Sequence, residues 1–238
     1  MIGNRCVIRH CLALFILLFP FFTGTAANYL CFTAEKAGSL LWYLNGADNN
    51  PDMQYSTDEG ATWNKWNAND TIILSTIGYK VYVRGNNPNG LSHVPGASSL
   101  DDLSVLDCTY FKMTGSIAAS GSVMSLIDGE GNSTVIPSGS EGCFCSLFRY
   151  CSSLTKAPEL PATTLAEGCY HAMFFGSGLT EIPELPAMEL AEYCYGSMFG
   201  SCYKLTKKPI LPATRMVTNC YVAMFANSGL KSGLAGNS

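Results

Sequence analysis

The motif Cys-Tyr-x-x-Met-Phe begins at Cys169, Cys194 and Cys220, and a degenerate copy, Cys143-Phe144-Cys145-Ser146-Leu147-Phe148, precedes them. The starts lie 26, 25 and 26 residues apart. A fixed period of this size marks a supersecondary unit that cannot bury its own apolar face and is completed by its neighbours. Residues 143–238 are therefore expected to stack as a solenoid of about four repeats. Such a stack suits a binding surface better than a chemical pocket.

The spacing within one unit predicts a helix followed by a short strand. Over residues 164–176, Leu165, Cys169 and Met173 fall at i, i+4 and i+8, with Tyr170 and Phe174 one step round, which gives one broad apolar helix face. Thr164-Leu165-Ala166-Glu167 fits a capping box, and Gly176 is placed for a left-handed C-cap. Leu179-Thr180-Glu181-Ile182 reads as a strand cut short by Pro183. Proline lacks an N–H, so the column Pro158, Pro183 and Pro209 interrupts any long ladder, and Pro161, Pro186 and Pro212 turn the chain back. His171, whose counterparts are Cys145, Gly196 and Val222, is expected on an exposed helix position.

The units SLTKAPELPATTLAEGCYHAMF, GLTEIPELPAMELAEYCYGSMF and KLTKKPILPATRMVTNCYVAMF resemble the BspA-like leucine-rich-repeat family of bacterial surface proteins. The resemblance implies an exported strand-and-helix solenoid displayed at the cell surface, with adhesion to host proteins or other cells. It carries no catalytic residue. The last unit departs from the pattern after Leu230, where the PxLPA turn is missing.

Upstream of the repeats the character of the chain changes. Arg5 and Arg9, the apolar run from Leu12 to Phe22, and Thr25-Ala26-Ala27 read as a cleaved signal peptide over residues 1–27, too short an apolar stretch for a membrane span. No other segment is long and apolar enough to cross a bilayer. Residues 28–118 hold β-rich runs at Tyr29–Thr33, Leu40–Leu44, Thr71–Leu74 and Lys80–Arg84, expected to form a small sandwich-like domain. Between them Ser56-Thr57-Asp58-Glu59-Gly60-Ala61-Thr62-Trp63 matches an Asp-box hairpin of the kind found in sialidase propellers, where it is structural. Residues 119–142 are assigned to a linker that caps the first repeat, with Met113–Ile117 and Val123–Ile127 as strands. The whole reads as α+β: an all-β domain followed by a strand-and-helix leucine-rich-repeat solenoid.

Charge and residue chemistry narrow the function. Removal of Arg5 and Arg9 with the leader leaves 12 basic against 18 acidic residues and no basic stripe, so nucleic acid is excluded as a partner. Only His93 and His171 survive processing and neither sits at a zinc-ligand spacing, so no metal, other cofactor or enzyme activity is expected. Nine cysteines remain, and those at the repeat position are expected to be buried free thiols. The leading expectation is a secreted or bacterial cell-surface protein that binds a host extracellular-matrix or cell-surface protein. Its candidate contacts are the variable strand positions Lys156, Glu181, Lys207 and Lys208. Alternatives are an assembly component docking through the end of the repeats, and a glycan-binding β-domain using Trp66, a residue otherwise expected to be half exposed with Trp63 in the core.

Overall fold

The computed structural model describes residues 27–45, 50–93 and 108–230. The leader, apart from Ala27, and the tail after Leu230 lie outside the described residues. Seven strands form one mixed sheet: β1 (Leu30–Leu44), β2 (Gln54–Ser56), β3 (Asn64–Lys65), β4 (Ile72–Leu74), β5 (Lys80–Arg84), β6 (Thr109–Ser120) and β7 (Leu154–Lys156). The order is β3-β2-β5-β1-β6-β7, with β4 beside β1. All pairings are antiparallel except β6 with β7, which brings the first repeat into the sheet.

Strand alternation sets the faces. Leu30, Phe32, Ala34, Leu40 and Trp42 of β1 point inward with Val81 and Val83 of β5 and Phe111, Ile117 and Ala119 of β6. The long β1–β6 pair is broken by register shifts between Ala34 and Ser39. There Gly38 and Gly115 pass so close that a side chain on either would meet the opposite backbone. The resulting bend lets the first half of β1 pair with β5 and the second with β4. The two runs read separately as Tyr29–Thr33 and Leu40–Leu44 thus lie in one strand.

The expected α+β division is overturned. The sole helix among the described residues, α1 (Ser125–Asp128), is four residues long, and it replaces the strand expected at Val123–Ile127. The Asp128 carboxylate accepts backbone N–H bonds from Glu130, Gly131, Asn132 and Ser133, which favours a closed loop there over an extended chain. Nor is there a sandwich followed by a separate strand-and-helix solenoid. The boundary set at residue 118 falls inside β6, and one continuous apolar cluster runs from Leu30 to Met224.

Successive turns stand where helices were expected. An α-helix keeps every residue right-handed and joins N–H(i) to O(i−4). Here one residue in four is left-handed, with φ between 50° and 73°: Gly142, Ser146 and Tyr150, then Gly168, Ala172 and Gly176, Tyr193, Ser197 and Ser201, and Asn219, Ala223 and Asn227. The reversals divide the donors into two sets. Cys169, His171, Met173 and Phe175 donate three residues back, while Tyr170, Ala172, Phe174 and Gly176 donate to the carbonyls of Cys194, Gly196, Met198 and Gly200 in the next segment. Residues 168–174 are buried on every side, unlike an amphipathic helix. His171 is accordingly buried, not exposed, because neighbouring segments cover both sides of its turn. The strand expected at Leu179–Ile182 is irregular, and only the first copy, β7, finds an open ladder, supplied by β6.

Stacking of the segments aligns their rings. Phe144, Tyr170, Tyr195 and Tyr221 form one column and Phe111, Phe148, Phe174, Phe199 and Phe225 another, with centroids 5.3–5.9 Å apart. Near-parallel rings at such distances contribute about 0.5–1.5 kcal/mol per pair beyond their burial. This offsets part of the cost of the nine left-handed residues that are not glycine, about 1–2 kcal/mol each. The nine described cysteines are buried and unbridged. Cys151 and Cys202 donate to the carbonyls of Phe111 and Phe174, at 3.1 and 3.0 Å.

Two predictions follow from this packing. The Tyr170 hydroxyl is buried without a hydrogen-bond partner, and the first segment carries Phe144 at that place. Tyr170→Phe should therefore raise stability by about 1 kcal/mol in urea unfolding, since an orphaned buried hydroxyl costs about 1–3 kcal/mol. Burial pushes the Cys143, Cys151 and Cys194 thiols up to about 12 from an ordinary value of 9.0. Folded thiols keep their protons where unfolded ones lose them, so this contribution is complete below pH ~9 and vanishes as the pH climbs to ~12. The urea midpoint should stay level to pH ~8 and fall across that window.

Candidate functional site

A groove of about 860 Å³ opens where the outward face of the sheet meets the first turn segment. Alternation that sends Leu40, Trp42 and Phe111 inward sends Ser39, Leu41 and Tyr43 of β1 and Tyr110, Lys112 and Thr114 of β6 into this groove. Their register is direct, with Ser39 opposite Thr114, Leu41 opposite Lys112 and Tyr43 opposite Tyr110. Ser146, Arg149 and Tyr150 form the other wall. Ser146 and Tyr150 are two of the left-handed residues, so the backbone reversal that builds the turns also aims this wall.

Both cations of the groove lie over aromatic rings. Lys112 Nζ is 4.5 Å from the Tyr43 ring centre and 5.6 Å from that of Tyr110. Arg149 Cζ is 4.8 Å from the Tyr150 ring and 5.9 Å from that of Phe175, and its guanidinium donates to the Tyr150 hydroxyl at 3.4 Å. Among the described residues, no aspartate, glutamate or histidine lines the groove and neither cation has a carboxylate partner. The groove is thus a positive, ring-lined site on a chain of net charge −4.

Cys108 reaches the groove wall beside these residues. A hydrogen bond from the Cys145 thiol holds Cys108 below the usual thiol range, with Ser146, Ser92 and Arg149 adding to the effect. Cys145 is pushed well up by the same bond and by burial. Groups of three or more histidine, cysteine, aspartate or glutamate side chains able to hold a metal are absent among the described residues. Likewise, no helix among them is long and apolar enough to cross a membrane.

The residues proposed from sequence lie elsewhere. Glu181, Lys207 and Lys208 line a shallow proline-rich groove of about 420 Å³, and Lys156 lines a second of similar size that shares Pro183, Glu184 and Pro186. Lys207 and Glu181 pair at 3.0 Å with side chains 76% and 70% exposed, a contact contributing about 0–1 kcal/mol. That side is therefore close to neutral where the pair sits. Trp66 is 1% exposed, donates to the Asp70 carbonyl at 2.8 Å and stacks on Phe111, so it has no free face for a sugar. The expected roles of the two tryptophans are exchanged, because the β2–β3 hairpin turns Trp66 under the sheet. Trp63 lies outside, edge-on to Tyr29 and beneath the Arg84 guanidinium at 4.2 Å.

Sequence reading missed Tyr43, Tyr110, Lys112 and Arg149. Their signal was available in the period-2 pattern of the strands, but the partner wall depends on a turn geometry that apolar spacing conceals. Comparison with family models, curated proteins and solved structures finds no match to this chain.

Two measurements check the local chemistry. Asp58 accepts from the Ser56 hydroxyl at 2.6 Å and from the Thr62 hydroxyl and N–H at 2.6 and 2.9 Å, which lowers its carboxyl to about 2. The support it gives the loop is complete above the ordinary carboxylate range and is lost progressively as the pH falls from 3.8 to about 2. The Thr62 amide shift should accordingly titrate near pH 2 and show no step near pH ~4. Brief alkylation of the folded protein at pH 8 should modify Cys108 first and leave Cys143, Cys151 and Cys194 untouched, because the thiolate is the reacting form.

Proposed function

We propose that this is a non-catalytic recognition protein, exported to the exterior of a bacterial cell, whose groove binds an acidic segment of a host or cell-surface protein. The observation carrying the reading is the pair Lys112 and Arg149, set over tyrosine rings in a groove with no acidic residue among its described lining residues. Tyrosine and arginine concentrate binding energy at protein interfaces, because their rigid flat groups lose little freedom on contact. A carboxylate entering between the cations would gain charge-assisted hydrogen bonds, while apolar side chains beside it would cover Leu41 and Met113.

The likeness of the repeats to BspA-like surface proteins and the leader pattern over residues 1–27 support export and adhesion. The proline-rich side with Lys156, Glu181, Lys207 and Lys208 serves as a secondary contact, since its best-placed cation is already paired.

The test is capture of partners from extracellular-matrix and mucus extracts by the mature chain, followed by affinity measurement on the protein recovered. Lys112→Glu combined with Arg149→Glu should weaken binding at least tenfold, given that each lost hydrogen bond to a charged group contributes about 1.5–3 kcal/mol. Raised salt should also weaken it, whereas Lys207→Ala should change it little. Undiminished binding by the double variant would sink the groove assignment.

A further inference from the structure

Cys145 is out of place among the repeat cysteines. It occupies the position held by His171, Gly196 and Val222 in the later units, while Cys143, Cys169, Cys194 and Cys220 share one column and Cys151 and Cys202 another. Its partner comes from outside the repeats. Cys108, just before β6, is in hydrogen-bond contact with it, thiol to thiol. Backbone bonds fix both residues. The Ser92 hydroxyl accepts from the Thr109 N–H at 2.9 Å and donates to the Cys145 carbonyl at 3.3 Å, and the Cys108 carbonyl accepts from the Asn45 N–H at 3.1 Å.

The pair has an outer and an inner member. Cys108 lines the groove and is 4% exposed, whereas Cys145 is fully covered and is not part of the lining. Arg149 stands on the same wall, with its Nε buried and without a hydrogen-bond partner among the described residues. Together with Lys112 it gives this stretch of the groove a positive field. The volume of about 860 Å³ falls within the range of about 300–1,000 Å³ typical of small-molecule sites.

We propose that Cys108 and Cys145 form a thiol–disulfide exchange site that takes a small, carboxylate-bearing disulfide from the groove. The Cys108 thiolate attacks one sulfur of the ligand, forming a mixed disulfide as the ligand's own S–S bond breaks. The thiolate released takes up the proton that Cys108 gave. Cys145 then loses its proton and attacks the Cys108 sulfur from the buried side, opposite the departing group, and the second released thiolate takes that proton. Two cysteines are thereby oxidised by two electrons to one disulfide, and the small disulfide is reduced to two thiols. The division of roles suits the thiols: the one held low faces the ligand, and the one held high by its neighbour and by burial stays protonated until the mixed disulfide is in place. Exchange needs no protein partner, so it and the recognition reading hold or fail separately.

The probe is glutathione disulfide, added at pH ~8 to the reduced full chain, with uncharged hydroxyethyl disulfide for comparison. Peptide mapping should find Cys108 joined to Cys145 while Cys143, Cys151 and Cys194 stay free. In Cys145→Ser the glutathione adduct on Cys108 should accumulate about tenfold over the unaltered chain, because the resolving thiol is gone. Cys108→Ser should leave Cys145 unmodified. Raised salt should slow the reaction of glutathione disulfide about threefold and leave that of hydroxyethyl disulfide unchanged, since screening acts on charge. An unreacted Cys108, a lasting adduct on it in the unaltered chain, bonds joining other cysteines instead, or an equal response of both probes to salt would each overturn the proposal. Mapping uses the unaltered chain and stays decisive even if a variant fails to fold.

Discussion

A left-handed residue at every fourth position of the turn segments is the constraint on which the rest depends. It turns alternate N–H groups out of the segment, and those groups form the ladder that joins one turn segment to the next. Were all residues right-handed, the donors would be used internally, as in a helix, and the stacked ring columns would lose the backbone register that holds them 5.3–5.9 Å apart. Register, burial of the cysteines and the aim of Arg149 into the groove all descend from that one backbone choice. The sheet supplies the starting edge, since Phe111 is at once a strand residue, the first ring of a column and the cap of the Leu147 carbonyl.

Much of this was legible in the sequence, and the part that was not has a definite cause. Period and register could be read because Cys169, Cys194 and Cys220 recur with their neighbours in fixed order. The strands around Lys80–Arg84 and Ile72–Leu74 could be read from β-branched runs. Helix and turn could not be told apart from apolar spacing. Over the eight steps from Leu165 to Met173, two periods of 4.0 and two of 3.6 differ by less than one residue. The discriminating signal lay in the residues between, at Gly168 and Gly176 or Asn219 and Asn227, types that reach positive φ most readily. The groove was hidden for a related reason, as Lys112 and Arg149 are 37 residues apart in sequence and meet only when the turn is built.

Rigidity and the proposed recognition are divided between the two faces of the β1–β6 pair. Inward, Trp42, Trp66 and Phe111 fix the sheet against the turns. Outward, the same strands present Lys112 over the Tyr43 and Tyr110 rings, a surface already ordered before a ligand arrives. Preorganisation of this kind reduces the ordering cost of binding.

The alternation of repeat length bears on how such a chain can grow. Cys151 and Cys202 belong to segments that carry an extra residue and reach back to a carbonyl, while at the same place in the other two, Gly178 and Gly229 press against the backbone of the coil before. The true structural repeat is therefore a pair of coils, 51 residues from Cys143 to Cys194 and again from Cys169 to Cys220. Gain or loss of a single coil would set two like coils side by side and break the alternation of a cysteine bond with a close glycine approach. Duplication in pairs keeps the fit, so inheritance of this architecture favours even steps.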